Sequence, residues 1–357
     1  MNFYTSSICL DSKDINKDNQ FTINIKIPWV EKYRPKNSEE ILLEPFIKQK
    51  IEKILETKSI PNMIITGEPG TGKTSTILFL AKHIYQDKYA DNVLELNASD
   101  DRGLSIINNT IYPFCKKKTS CSGLNQDPNY PDHKLVILDE ADSITPKAQN
   151  LLSNIISEFR KNTRIVFICN DGTQIIESIQ SRCMIIKYPR ISSINLYQKI
   201  EYICKQEEIQ YTGEGIKTLL FVSDQDIRQA INNLECIYYS FGKLSNKYIY
   251  KLIDKPKPYY ISKIINDCFS GNYVKTINTV KSLYNKGYTP NDILLTFMKY
   301  LFENNLDNTV ELNDENKLRI YEIISLSYIR VNGGLDTLLQ LCGCISKIFM
   351  YLQNDIK

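Results

Sequence analysis

Eight residues limit this chain more than any other feature. Gly67-Glu68-Pro69-Gly70-Thr71-Gly72-Lys73-Thr74 fits the pattern GxxxxGK[ST] in full. That pattern has meaning only between a strand and a helix. Here the short apolar run Asn62-Met63-Ile64-Ile65-Thr66 precedes it, and Ser75 to Tyr85 carries helical apolar spacing after it. Glycines let backbone N–H groups converge on phosphate oxygens with no Cβ in the way. The N-terminus of the following helix adds its positive dipole end. In such a loop Lys73 reaches the β- and γ-phosphates of a nucleotide, and the Thr74 hydroxyl binds Mg²⁺.

The rest of the chain supplies a frame for this loop. Val93-Leu94-Glu95-Leu96 reads as a strand, and Leu135–Leu138, Ile165–Cys169 and the shorter Met184–Ile186 are apolar runs without polar alternation. Between them, Phe46–Leu55, Leu104–Phe114 and Ala148–Phe159 have helical spacing. Strands apolar on both faces and separated by helices predict a parallel sheet covered on both sides. From Ile191 on, the strand signal ends and helical spacing takes over, as in Ile227, Ala230, Ile231, Leu234 and Tyr238. Lys255-Pro256-Lys257-Pro258 is a linker by composition, and Asn332-Gly333-Gly334 stops a helix, with a new one expected from Leu335. The expected division is a polar, loosely attached tail over 1–27, an α/β domain over 28–190, a small helical domain over 191–254 and a second helical domain over 255–357. Two prolines frame Pro28-Trp29-Val30-Glu31-Lys32-Tyr33-Arg34-Pro35, which predicts an extended segment there. Lys116–His133, with Gly123, Pro128 and Pro131, is expected to be a surface loop.

Composition closes off other classes. Of 357 residues, 42% are hydrophobic and 24% charged, which permits packed cores and excludes collagen-like or wholly disordered chains. No run reaches the ~18 apolar residues of a membrane span, so no membrane association is expected. The net charge of +3 is too small to argue for nucleic acid by itself. Ten Cys form no CxxC pair, and His83 and His133 are the two histidines, which argues against structural zinc and for buried, reduced thiols.

Two further strand ends carry chemistry. Leu135–Leu138 runs into Asp139-Glu140-Ala141-Asp142. A carboxylate at the C-terminal end of a buried parallel strand points into the ligand crevice of an open α/β sheet. Asp139 is then a Mg²⁺ ligand, direct or through water, and Glu140 orients or deprotonates an attacking water. The bland alternative is a solvated acidic turn. Asn170, after Cys169, ends a strand at the same edge and is placed to bond the γ-phosphate or the water; its alternative is a turn cap.

Taken together these stretches resemble the small subunits of replication factor C, the sliding-clamp loader of the AAA+ ATPases. The resemblance rests on PWVEKYRP (Pro28–Pro35), GEPGTGKT (Gly67–Thr74), LNASDDRG (Leu96–Gly103), LDEAD (Leu138–Asp142), Cys169-Asn170, IQSRC (Ile179–Cys183) and DIRQAINN (Asp226–Asn233), in the family's order. Within the family the chain is most similar to subunit 2, on PWVEKYRP, on Gly287-Tyr288-Thr289-Pro290 followed by Asp292-Ile293, and on Asn332-Gly333-Gly334-Leu335. The resemblance implies an AAA+ P-loop domain with a five-stranded parallel sheet, then a helical lid and an all-α collar that builds a heteropentameric ring. It implies ATP and Mg²⁺ as ligands, and ATP hydrolysis within the complex. The other loader subunits, the sliding clamp PCNA and primer-template DNA, held without sequence readout, are the implied partners. The implied setting is DNA replication and repair in the nucleus.

Residue by residue, the resemblance makes Val30, Tyr33, Arg34 and Pro35 the segment around the adenine. Gly67–Thr74 cradles the phosphates. Arg182 of Ser181-Arg182-Cys183 acts in trans on the neighbouring subunit's ATP, a device that can bring ~10³–10⁵ in rate. Arg228 contacts the subunit's own ATP from the lid, and Arg102 starts a DNA-facing helix. The chain departs from the family at Asn108 and Thr110, and at Ser153-Asn154-Ile155-Ile156-Ser157, where the family has basic residues and then T-M-E. Lys147 and Arg160 are nearby basic residues. Two other functions compete. One is a subunit that binds ATP, hydrolyses little and mainly lends its arginine and ring contacts. The other is a different AAA+ machine, such as a Holliday-junction helicase, against which EKYRP, NASDDRG and SRC stand together.

Overall fold

A computed structural model describes residues 27–35, 40, 42–99, 104–117, 130–302 and 313–355. All but the last residue of the expected 1–27 tail, most of the Lys116–His133 loop and Arg102 lie outside the described residues. Five parallel strands form one sheet in the order β2-β3-β4-β1-β5. They are β1 (Met63–Gly67), β2 (Val93–Asn97), β3 (Lys134–Asp139), β4 (Thr163–Cys169) and β5 (Met184–Tyr188). Their register sets Met63 beside Val166 and Met184, and Leu138 beside Phe167.

The apolar runs lack alternation because both faces are covered. Met63 and Ile65, Leu135 and Ile137, and Val166 and Ile168 enter one core with the helices Pro45–Thr57 and Lys73–Tyr85. Ile64, Val136, Leu138, Ile165 and Phe167 enter the core on the other face, with the helix Pro146–Glu158 and the segment around Ile107 and Ile111. The central strands β3, β4 and β1 are therefore apolar at nearly every position, which abolishes the period of two, whereas the edge strands β2 and β5 keep exposed positions such as Glu95 and Lys187.

Two helical units follow. The first has a core of Leu196, Ile200, Ile203, Ile216, Leu219, Leu234 and Ile237, drawn from Ser193–Gln206, Gly213–Val222 and Ile227–Phe241. The second packs Ile261, Ile265, Phe297, Ile320, Ile324 and Ile345 from Pro258–Phe269, Pro290–Phe302, Asp314–Asn332 and Leu338–Asp355.

Four local expectations need correction. Trp29–Lys32 is a short helix where an extended segment was expected. Pro28 precedes its first residue, and its carbonyl accepts from Glu31 N and Lys32 N at 3.0 and 2.9 Å. Proline breaks a helix from inside, and here both prolines lie outside. The segment also packs on the first helical unit: Trp29, 3% exposed, belongs to that core and lies 5.3 Å from Tyr238, ring to ring. A small parallel pair, Gln210–Tyr211 with Lys243–Leu244, occurs where no strands were expected, because two residues are too short to leave a periodic signal. The last helix begins at Leu338, three residues later than expected from Leu335. The Leu104–Lys116 stretch is helical throughout but widens to a π-turn over Ile107–Ile111.

Candidate nucleotide site

The strand order gathers the candidate residues. β3, β4 and β1 are neighbours, so Asp139, Asn170 and the glycine loop leave the carboxyl edge of the sheet side by side. Gly67 leaves β1 so close to β5 that a Cβ there would lie 2.5 Å from the Tyr188 carbonyl oxygen. Gly70, with φ of +75°, takes a left-handed turn, and a Cβ on it would collide with the Asp226 carboxylate. Thr71 Oγ1 donates to Glu68 O at 2.9 Å and closes the loop on itself.

Lys73 is 7% exposed. Its ammonium donates to Gly67 O at 2.6 Å, Glu68 O at 2.8 Å and Asn170 Oδ1 at 2.9 Å, which uses all three donors. Burial pulls its pKa below the usual lysine range, while the Asp139 carboxylate works in the other direction. Thr74 Oγ1 donates to Asp139 Oδ2 at 2.9 Å, and Glu140 N donates to Asp139 Oδ1 at 2.9 Å. Glu140 is exposed and sits in the left-handed region at φ of +54°. For a residue with a Cβ that conformation is uncommon and is over-represented at functional sites. Asn170 N donates to Asp142 Oδ2 at 3.3 Å. Cys169, just before it, donates to Ile65 O across a 3.7 Å sulfur contact, and burial pushes its thiol up to about 12, so it stays neutral at physiological pH.

A cavity of about 420 Å³ opens beside the loop. Gly70, Thr71 and Gly72 form one wall; Val30, Tyr33, Arg34 and Pro35 form a second; Ile191, Ile227, Arg228 and Ile231 form the third. Arg34 Nε reaches Ser75 Oγ at 3.3 Å and Nη1 reaches Glu31 Oε2 at 3.1 Å. Tyr33 donates to Glu207, a carboxylate shared with Lys32, which anchors the second wall to the helical unit. Its pKa is raised, by burial first and by Glu207 second. Arg228 is exposed at the start of Ile227–Phe241, near enough to Lys73 for its charge to help lower that lysine's pKa.

Not every singled-out residue joins this cluster. Arg182 precedes β5, at the opposite edge of the sheet from the loop. Five residues of strand, about 16 Å at ~3.3 Å each, separate the two levels. Its guanidinium is exposed and donates to Ser157 Oγ at 3.1 Å and to Ser178 O. Asn108 and Thr110 are exposed on the π-turn, and Asn154, Lys147 and Arg160 are exposed around Pro146–Glu158, whereas Ser153 is buried. Three residues at the site make contacts that sequence reasoning did not give them. Asp142 holds Asn170 N. Glu68 pairs with Arg190 at 2.6 Å, between the loop and the segment that leaves the sheet. Asp226 accepts from Arg228 N and Gln229 N at 2.8 and 3.3 Å. The last was legible as a helix start, since Asp226-x-x-Gln229 is a capping-box spacing.

Among the described residues no group of three or more His, Cys, Asp or Glu is placed to hold a metal ion. The Thr74 hydroxyl and the Asp139 carboxylate are hard oxygen donors already 2.9 Å apart. That pair fits Mg²⁺, which takes one or two carboxylates and completes its shell with phosphate and water.

Comparison with known proteins fits this geometry. Residues 63–190 match the family model "ATPase family associated with various cellular activities (AAA)", and residues 256–347 match "Replication factor C C-terminal domain". Replication factor C subunit 4 of Saccharomyces cerevisiae is 35% identical over 328 residues, 92% of this chain and 97% of that protein. Replication factor C subunit 2 of Arabidopsis thaliana is 35% identical over 321 residues, 90% of this chain and 92% of that protein. The subunit numbers differ at equal identity, so the likeness is to the small subunits as a group. A solved structure of a Thermotoga maritima RuvB mutant aligns with a TM-score of 0.50 at 14% identity, covering 66% of this chain and 79% of that one. That is a likeness of fold alone.

Proposed function

The chain belongs to the family of replication factor C small subunits, and from that premise we propose that it binds and hydrolyses ATP as one member of a heteropentameric clamp loader. In this reading the complex opens the sliding clamp PCNA and places it on primer-template DNA in the nucleus. The observation that carries it is the meeting of Lys73, Asn170, Thr74, Asp139 and Glu140 at one edge of the sheet. A γ-phosphoryl group entering the loop exchanges for the Gly67 and Glu68 carbonyls as partner of the Lys73 ammonium. Asn170, held from behind by Asp142, keeps one amide for the γ-phosphate or the water. The adenine and ribose occupy the cavity between Val30–Pro35 and the Ile227 helix. Thr74 and Asp139 hold Mg²⁺, which when bound offsets charge on the β- and γ-phosphates. Glu140 takes a proton from water as its oxygen bonds to the γ-phosphorus, while the bond to the β-γ bridging oxygen breaks and ADP leaves. Arg182 cannot serve this site from the far edge of the sheet. It serves the neighbour's, so each site is completed across an interface.

The test is ATP hydrolysis by the complex assembled with the other family subunits, with clamp and DNA present. Glu140→Gln should slow turnover at this site at least tenfold with nucleotide still bound. Arg182→Ala should lower hydrolysis at the adjacent site and leave ATP binding by this chain unchanged. An unchanged rate with Glu140→Gln would transfer the role to that of an ATP-binding subunit that mainly lends Arg182. Full turnover by the isolated chain would remove the trans arrangement.

A further inference from the structure

Three consecutive residues, Asp224, Gln225 and Asp226, join all three units of the molecule. Asp224 and Gln225 both lie in the left-handed region, at φ of +55° and +60°, although neither is glycine. Two such residues in a row persist only where the surroundings impose them. The backbone supplies part of that constraint: Gln225 N donates to Leu220 O at 3.3 Å and Asp226 N to Ser223 O at 2.9 Å. Side chains supply the rest. The Asp224 carboxylate accepts from Lys255 Nζ at 3.0 Å on one oxygen and from Lys299 Nζ on the other. Lys255 also donates to Val222 O at 2.7 Å. Lys299 lies in Pro290–Phe302, within the C-terminal helical unit. On the other side of the turn, Asp226 caps Ile227–Phe241 and stands against Gly70 of the phosphate loop. Arg228 follows two residues later.

We propose that Asp224 and Asp226 are positioning residues for Arg228, and that Lys299 sets through them how often the lid stands closed over the nucleotide. The proposal rests on the ATP-binding function argued above. The physical step is a population effect. If Arg228 contacts the phosphates only when the lid is seated, the apparent affinity is the intrinsic one scaled by the fraction of seated molecules. An isolated surface ion pair has little influence on such a fraction. Here two ammonium groups, themselves about two-thirds buried, converge on one carboxylate that is 44% exposed, and they hold a turn in which two consecutive non-glycine residues are left-handed. Releasing Lys299 lets the turn relax toward ordinary backbone angles, which rotates the start of the Ile227 helix away from Gly70. The C-terminal unit, where the family assembles, thereby gains a hold on the nucleotide site without touching it.

Two measurements on the full chain decide this. The first is binding of a fluorescent, non-hydrolysable ATP analogue with Mg²⁺. Lys299→Met, which keeps the aliphatic stem, should weaken binding about three- to fivefold, and Lys299→Arg should restore it to within twofold. In an Arg228→Ala background Lys299→Met should have no further effect. Unchanged affinity in Lys299→Met, or the same loss in both backgrounds, overturns the proposal. The second needs no nucleotide. Gly70→Ala drives a Cβ into Asp226 and should raise amide exchange over residues 290–302, and Lys299→Met in the same chain should abolish that rise. No rise in Gly70→Ala overturns the link. If wild type fails to bind the analogue, the ATP function falls, and the exchange measurement still decides whether the turn couples the three units.

Discussion

At the scale of single residues, burial decides which groups can change charge. His133 is 4% exposed, its Nε2 accepts from Ile60 N at 3.3 Å, and its ring lies edge-on to Tyr85. Burial, helped by the charge of Arg164, pushes its pKa down to about 4. The sign follows from linkage. Between pH 6.5 and 4 the unfolded chain binds a proton that the folded one refuses, so stability falls as pH drops through that window. At ~1.4 kcal/mol per unit the loss is at most about 3.5 kcal/mol. Urea unfolding at stepped pH should show this slope, and His133→Gln, which keeps a neutral acceptor, should flatten it. A slope equal in both chains would assign the loss elsewhere. Lys73 was legible from its motif. Its three-way grip on Gly67, Glu68 and Asn170 was not, because Asn170 lies 97 residues away and only the adjacency of β4 and β1 brings it there.

At the scale of elements, the helix Ile227–Phe241 carries the most consequences. It starts at the Asp226 cap, ends at Gly242 in the left-handed conformation, and buries Ala230, Ile231, Leu234 and Ile237 along one side. That stripe and its cap were readable, since i, i+3, i+4 spacing and the residue before it are local properties. Its other neighbour, the Trp29–Lys32 helix, was not readable: four residues carry no period, and framing prolines are compatible with a helix when they lie outside it. Trp29, the one tryptophan of the chain, reports on this core directly. Leu234→Ala, at a position with no exposure, should destabilise the unit by about 2–5 kcal/mol. The Trp29 emission shift should then occur at lower urea. An unchanged midpoint would mean that Trp29 is not docked on this helix in solution.

At the scale of the whole molecule, the C-terminal unit leaves apolar side chains uncovered. Leu318, Leu326 and Ile329 occupy one side of Asp314–Asn332 and are 72%, 51% and 66% exposed. In the proposed ring such a side faces a neighbouring subunit. Ile329→Asp should cut incorporation into the complex at least tenfold on co-purification, while the melting temperature of the free chain moves little, since exposed substitutions typically change stability by ~0.5 kcal/mol or less. Normal incorporation would show that this side is not a subunit contact. Arg182 belongs to the same scale, because the trans role proposed for it rests on its distance from the phosphate loop along β5.

The amino-acid order alone determined the phosphate loop, the covered parallel sheet, the helical second half and the family. Each is a local pattern: a glycine spacing, a periodicity, or a motif that survives without knowledge of neighbours. The tertiary structure alone decided that Trp29 joins the lid, that Asp226 meets Gly70, that Asp224 is held from the C-terminal unit, and that Arg182 faces away from its own site. Those facts depend on strand order and on how separately formed cores stack. Residues far apart in sequence carry no periodic trace of the contact they will make, because the contact arises only when the chain has closed around it.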